Sequence, residues 1–515
     1  MDNKWWSRAL MIVALIVLSV GTFQVVPTRA QDAIPWPTAG WQTSTPEAQG
    51  IDSARLARLF EQIESGNHNI HSVVIVRHGV LVAEAYRAPH TPDTLHHIMS
   101  CTKSFTSALI GIAIAQGAIQ GVDQRVLDFF PDRTPANLDA AKRNMTLENL
   151  LTMSGGFEWP GGMLEDPSLD ELWRSEDWVQ FMLDRPLSDP PGSRFVYNTG
   201  GSHLLSAILQ QATGLTEAAF AREALFTPLG ITDWRWQTDP QGINTGGWGL
   251  RITPRDMAKF GYLYLHGGQW DGQQVIPAEW VADSTRAQIT TGVQGMPASY
   301  GYQWWIEGEA FAALGYGGQH IIVLPDRDMV VIFTSGLPTT SWAVPQMLLT
   351  TYILPASASS DPLPANPEGN AVLQAAIDAL EHPAAEAVPP LPDTARAISG
   401  QTYTLEANDF GLTSLSLTFT DGADTALLTL NGTLALPVGL DGVLRSSESE
   451  GQTLFDAPLA LRGAWQRSGA FSVDLCLVGE VENYTVNLNF SGEDVAFHWF
   501  ENASLQTGSF RGTRS

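Results

Sequence analysis

Ser100 and Lys103 stand three residues apart at the mouth of a largely apolar stretch, Phe105 to Ala118, that carries no charge on any face. Three to four residues make one helical turn, so an amine at 103 can reach a hydroxyl at 100. Arginine does not lose its proton in a protein, whereas a desolvated lysine can act as a neutral base. The chain has only four lysines against 24 arginines, so a lysine here runs against its habit and has a chemical reason. Ser-x-x-Lys is a common spacing. Its placement is not, because a lysine rarely enters a core without a partner or a task.

Two further segments supply what this pair lacks. Phe195-Val196-Tyr197-Asn198-Thr199-Gly200-Gly201 follows the turn Pro190-Pro191-Gly192 and precedes an apolar helical run from Leu204 to Ala212. Tyr197 is thereby held in a loop at a helix entrance, where a tyrosinate close to an ammonium has a lowered pKa and can accept the serine proton. Gly315-Tyr316-Gly317-Gly318-Gln319 lies directly ahead of a strand-like run, Ile321 to Leu324. Glycines at a strand edge admit close backbone approach, and an N–H among positions 317 to 319 can share an oxyanion with the N–H of Ser100. Nucleophile, base and oxyanion donors are the roles a serine acyl-transfer enzyme needs.

Ser100-Cys101-Thr102-Lys103, Leu150-Leu151-Thr152-Met153-Ser154-Gly155-Gly156, the Tyr197 loop, Pro228-Leu229-Gly230 and the turn from Gly315 occur in this order. Residues 41 to 354 therefore resemble the β-lactamase-related serine hydrolases: class C β-lactamases, DD-peptidases, esterases and 6-aminohexanoate-dimer hydrolases. The resemblance implies a five-stranded antiparallel sheet flanked by helices. It implies Ser100 as nucleophile, Lys103 as its proton partner, Tyr197 as acid/base, and Thr199, Tyr316, Gly317 and Gly318 around the substrate and oxyanion. Two departures stand out. The family's Tyr-x-Asn has Thr199 in third place with the Asn moved to 198, and Gly315 replaces a Lys or His suited to a substrate carboxylate. An esterase or amidase is expected, not an efficient β-lactamase. Trp304-Trp305 after Tyr300-Gly301-Tyr302 is similar to the 6-aminohexanoate-dimer hydrolase and esterase branch. The alternative is a slow or non-catalytic penicillin-binding sensor or wall-binding protein of the same fold.

The surrounding elements read as α+β. Ser53 to Ile63 has Leu56, Leu59, Phe60 and Ile63 on one helical face, with Asp52 as N-cap. Ser72 to Arg77 and Val80 to Tyr86 flank His78-Gly79, and His320 to Leu324 and Met329 to Thr334 flank a second turn. Two such hairpins in a mostly helical chain are expected to share one antiparallel sheet covered by helices. Prolines crowd residues 355–397 around one helical pattern, Asn370 to Leu380, which reads as a linker. Beyond Ile398 the period becomes two, with runs such as Phe471 to Val478 and Tyr484 to Phe490. Residues 398–515 thus read as an all-β barrel or sandwich, a stabilising or surface-binding module. At the other end, Lys4 and Arg8 precede an apolar run, Ala9 to Val20, and Thr28-Arg29-Ala30 offers a cleavage site. Residues 1–30 read as a signal peptide, so export is expected, with membrane attachment only if the segment stays uncleaved.

Composition narrows the partners. The 515 residues are 44% hydrophobic and 16% charged, which excludes disorder. Fifty-four acidic against 28 basic side chains give a net charge of −26, which repels phosphate backbones and argues against nucleic acid. Cys101 and Cys476 form no metal-ligand cluster, and no His-Glu-x-x-His spacing occurs, so neither metal nor organic cofactor is expected. No Gly-x-Ser-x-Gly elbow supports an α/β-hydrolase. The expected partner is a small-molecule or short peptide-like substrate. Trp159, Trp173, Trp178, Trp234, Trp236 and Trp248 lie between the motifs, most as packing and a minority able to line an apolar acyl pocket.

Overall fold

The computed structural model describes residues 36–160, 167–447, 457–466 and 469–515; the leader reading lies outside them. The main sheet runs in the order Val80–Tyr86, Ile70–Arg77, Met329–Ser335, Gln319–Leu324, Ala310–Gly315, Trp305–Glu307, Ser299–Tyr300, Ile289–Thr290, with every pairing antiparallel. The two hairpins read from the sequence do share it, Val74 standing opposite Ile332. The expected five strands become eight. The three additions at one edge are pieces of two or three residues, too short to show a period in sequence.

Both faces of the sheet are covered, which is why its strands read as unbroken apolar runs. Successive side chains on a strand point to opposite faces. Val74, Val76, Val330 and Ile332 enter the larger core, while Val73, Ile75, Val331 and Phe333 enter a second core on the other side. Helix Ser53–Ser65 covers that second face, its Asp52 cap accepting from Arg55 N–H at 3.0 Å. Against it lies Pro367–Glu381, whose Leu373, Ile377 and Leu380 are buried in the same core. The proline-rich stretch is therefore partly a packed helix and not only a tether.

In the larger core, helix Thr102–Ala115 is buried along its whole length from Thr102 to Ala113. Phe105 stacks on Phe260 with ring centres 3.7 Å apart, joining it to helix Pro254–Leu265 beneath the sheet. Helix Thr199–Thr213 packs alongside, buried from Thr199 to Leu209.

From Thr402 the chain forms an antiparallel sheet of ten strands among the described residues. It closes where Leu434–Gly439 runs parallel to Leu459–Trp465, pairing Val438 with Leu461. Closure removes the exposed edges, and alternate inward leucines fill the interior, as at Leu415, Leu417, Leu428 and Leu430. The barrel is seated on the hydrolase portion: Gly479 O accepts from His97 N–H at 2.8 Å and Ala503 O from Thr339 N–H at 3.0 Å.

Candidate active site

Ser100 sits in the short turn Met99–Cys101 that leads into the buried helix. Met99 has φ of 48°, a left-handed conformation uncommon for a side chain of this kind, just before the serine. The turn aims Ser100 Oγ outward at the N-terminal end of the helix, where unpaired N–H groups favour negative charge. One turn along, Lys103 is 1% exposed. Its Nζ lies 2.9 Å from Ser100 Oγ and donates to Gly247 O at 2.8 Å. The ammonium also lies over the face of Tyr197, 4.8 Å from the ring centre. A neutral amine in this place keeps one N–H on Gly247 O and turns its lone pair to the serine hydroxyl, which is the arrangement a base requires.

Tyr197 is braced from two sides. Its ring stacks on Trp305 at 5.9 Å with 21° between planes. Met153 holds the flanking backbone: its carbonyl accepts from Val196 N–H at 2.8 Å, and its sulfur from Asn198 N–H at 3.3 Å. The Thr-Met-Ser-Gly-Gly segment is thus the support of the tyrosine loop. Asn198 turns inward as the cap of helix Thr199–Thr213, accepting from Gly201 N–H at 2.8 Å.

The glycine turn closes the third side. A Cβ at Gly315 would come within 2.6 Å of Ile98 O, so the strand can lie against the nucleophile turn only if this residue has no side chain. That contact gives a steric reason for glycine where the family resemblance leads one to expect a Lys or His. Gly318 N–H donates to Gly315 O at 3.1 Å, and Gln319 pairs with Gly315 in the strand ladder. Ser335 Oγ lies 2.8 Å from both Gly317 O and Gly318 O, tying down the carbonyl side of the turn.

Ser100, Tyr197, Tyr316, Gly317 and Gly318 share the wall of one cavity of about 940 Å³. Much of the remaining wall is apolar, including Val196, Met296, Leu314, Pro338 and Trp342. Arg194 is the formal charge among its described lining residues, and it is held at the rim by Asp189 at 2.6 Å. Burial and the nearby Glu501 and Glu482 push the Tyr316 phenol up, so it stays protonated beside the turn. Burial likewise pushes up the Cys101 thiol, whose sulfur donates to Gln319 O at 3.2 Å, so the cysteine beside Ser100 is an inert packing group.

Ser100, Lys103, Tyr197, Tyr316, Gly317 and Gly318 therefore converge. Thr199 does not join the cavity wall; it is buried at the start of its helix, packed against Gly247. Among the described residues the aromatic wall comes from Phe195, Tyr197, Tyr316 and Trp342, not from the six tryptophans between the motifs. Gly247 O was invisible in sequence because a carbonyl acceptor carries no residue signature. Equally unforeseen, His71, His90 and His96 meet in the interior with one ring nitrogen of each within 4.8 Å of the others. His90 Nδ1 donates to Arg87 O at 3.1 Å, and His96 Nδ1 faces His97 O at 3.2 Å, which leaves His96 Nε2 to accept from His71 Nδ1 at 2.8 Å. His71 and His90 stack at 4.0 Å with 15° between planes.

Residues 56–344 match the family model described as Beta-lactamase. The chain belongs to the β-lactamase family. This is a family of serine hydrolases with amidase, esterase and peptidase members. The chain is 25% identical over 326 residues to a 6-aminohexanoate-dimer hydrolase of Paenarthrobacter ureafaciens, covering 59% of this chain and 83% of that protein. A putative D-alanyl-D-alanine carboxypeptidase of Escherichia coli K12 is 20% identical, with 59% and 87% covered. Among solved structures, a putative 6-aminohexanoate-dimer hydrolase from Bacillus anthracis superposes with a TM-score of 0.51 at 25% identity, covering 63% of this chain and 89% of that one.

Proposed function

We propose that the protein hydrolyses an amide or ester through an acyl-enzyme on Ser100, with a neutral or weakly polar acyl group in the apolar cavity. The observation that carries this reading is the buried Lys103 Nζ at 2.9 Å from Ser100 Oγ. Oγ attacks the carbonyl carbon while its proton passes to the Lys103 and Tyr197 pair. The Ser100 N–H and the Gly317 N–H receive the oxyanion, since Gly318 N–H is engaged within the turn. As the tetrahedral species collapses, the proton is delivered to the departing amine or alkoxide and the acyl group stays as an ester on Oγ. Water, deprotonated by the same pair, cleaves that ester and restores the serine. Metal and cofactor play no part in these steps. Export places this chemistry outside the cytoplasm.

With Gly315 where a cation is expected, the described wall gives a substrate carboxylate no buried charged partner, which favours neutral esters and amides over β-lactams. The test is labelling by a fluorophosphonate and turnover of p-nitrophenyl acetate, alongside nitrocefin and linear amide oligomers. Loss of both labelling and turnover in Ser100→Ala is expected, and equal labelling in wild type and variant would remove the proposal.

A further inference from the structure

We propose that Glu480, carried by the C-terminal barrel, is a positioning residue for Lys103, so that the barrel completes the active site. The inference rests on the reading of Ser100 and Lys103 as the reacting pair.

Glu480 lies in the segment joining strands Phe471–Leu477 and Asn483–Ser491 and is 7% exposed. One carboxylate oxygen is 3.2 Å from His97 Nδ1 and the other 2.7 Å from Arg251. His97 and Arg251 are themselves paired across adjacent short strands of the hydrolase portion. An acceptor on Nδ1 fixes which ring nitrogen carries the proton, so Nε2 presents a lone pair. That lone pair accepts from Gly249 N–H at 3.0 Å. Two residues before Gly249, Gly247 directs its carbonyl at Lys103 Nζ, 2.8 Å away. The path is short, three hydrogen bonds and two residues of loop backbone: barrel carboxylate to imidazole, imidazole to Gly249 N–H, and Gly247 carbonyl to the catalytic amine. The rest of the loop is held within the hydrolase portion, Gly246 O accepting from Thr106 Oγ1 at 2.8 Å and Trp248 stacking on Trp178, while Gly249 N–H, two residues from the carbonyl, is held by His97.

Burial works to raise the Glu480 carboxyl, but His97 and Arg251 outweigh it and hold the group ionised. A buried carboxylate paired with a guanidinium and hydrogen-bonded to an imidazole is a rigid anchor, because the ion pair compensates its charge while the second oxygen fixes the ring. Beside it, Gly479 O accepts from His97 N–H at 2.8 Å, so the same segment grips the histidine by backbone and by side chain. The barrel reaches the other wall of the site too, because Val481 packs on Gly317. An accessory module tethered for surface binding would need none of these contacts.

The experiment compares Glu480→Gln, Glu480→Ala and Asn502→Ala in the full chain, measuring kcat and KM on an activated ester together with the rate of fluorophosphonate labelling. Asn502 donates to Asn483 O at 2.9 Å and steadies the same segment without touching His97, so its variant reports on loosening of that segment apart from the His97 contact. Misplacing a catalytic group by an ångström can cost about a hundredfold. Glu480→Ala is therefore expected to lower kcat by about tenfold or more with KM changed less than about twofold. Glu480→Gln, which still offers His97 an acceptor, is expected to stay within about threefold of wild type. If Glu480→Ala does not fold, Glu480→Asp, which withdraws the carboxylate by one methylene, must show the same kcat loss. The proposal is overturned by wild-type kcat in Glu480→Ala, by Gln and Ala behaving alike, or by an equal loss in Asn502→Ala. A readout independent of turnover is the Cε resonance of Lys103 in protein grown on 13C-lysine, tractable because the chain has four lysines. It should move in Glu480→Ala and stay in place in Asn502→Ala. Labelling that persists in Ser100→Ala would sink the nucleophile reading, and the Lys103 resonance would then decide the role of Glu480 by itself.

Discussion

Val481 of the barrel occupies the space that a side chain on Gly317 would need: a Cβ built there overlaps both Val481 methyl groups. Gly317 also has φ of 74°, where a side chain costs about 1–2 kcal/mol. Gly317→Ala keeps the N–H but must shift the turn to relieve the clash, and displacing one oxyanion donor is expected to lower kcat/KM by about a hundredfold. Adding Val481→Ala removes the overlap and leaves the backbone cost, so the double variant should regain thermal stability more than activity. Calorimetry and ester kinetics on the three proteins check this.

Lys103→Arg keeps a cation over Tyr197 and donors for Gly247 O, but it cannot give up a proton. A fall in kcat of about 10³-fold is expected, within the range for losing a general base. An arginine variant with near-wild-type kcat would show that only the charge at 103 matters.

Tyr197→Phe preserves the ring that stacks on Trp305 and removes only the hydroxyl. The melting temperature should stay within a few degrees while kcat falls by about 10²- to 10⁴-fold. Unchanged turnover would exclude Tyr197 as acid/base and leave Lys103 to act without it.

Acid should weaken the fold through its buried histidines. Burial holds His90 down to about 4 and His96 and His320 to about 3, and His71 is lowered as well. Below the ordinary value of about 6.5 the unfolded chain binds protons that the folded chain refuses. The stability these groups confer is thus complete above pH 6.5 and is lost as the pH falls toward 4 and then 3, at up to about 1.4 kcal/mol per pH unit for each. Denaturant titrations from pH 7.5 to 4 should show this slope, and His90→Gln should reduce it.

Glu217 works in the opposite direction. It is wholly buried, and burial pushes its carboxyl up to about 7. The hydroxyls of Ser206 and Thr106 beside it temper the rise, yet they donate to Asn244 O and Gly246 O. The folded chain binds this proton between pH 4.5 and 7 and the unfolded chain does not, so stability is lost as the pH rises through that window. Glu217→Gln is nearly the same shape without the charge. It should stabilise the protein at pH 8 by on the order of 3 kcal/mol, read from chemical denaturation, and change little at pH 4.

Much of the scaffold was legible in the sequence because it follows from local patterns. The Asp52 cap, the two hairpins, the uncharged helix after Lys103 and the period-two barrel strands each depend on residues close together in the chain. The Ser100 and Lys103 pair was legible for the same reason, being one helical turn. The extra edge strands were not, since pieces such as Ser299–Tyr300 are ordered only by the neighbours they pair with.

What the sequence by itself determined was the chemistry available: a serine with an amine one turn away, a tyrosine at a helix entrance and a glycine turn. Tertiary structure alone decided which groups surround them. It brought Gly247 O to Lys103 across 144 positions, set Trp305 against Tyr197, and placed Glu480 on His97 across 383 positions. Such contacts depend on how sheets and helices pack, and a carbonyl or a carboxylate far along the chain carries no mark of the partner it will meet.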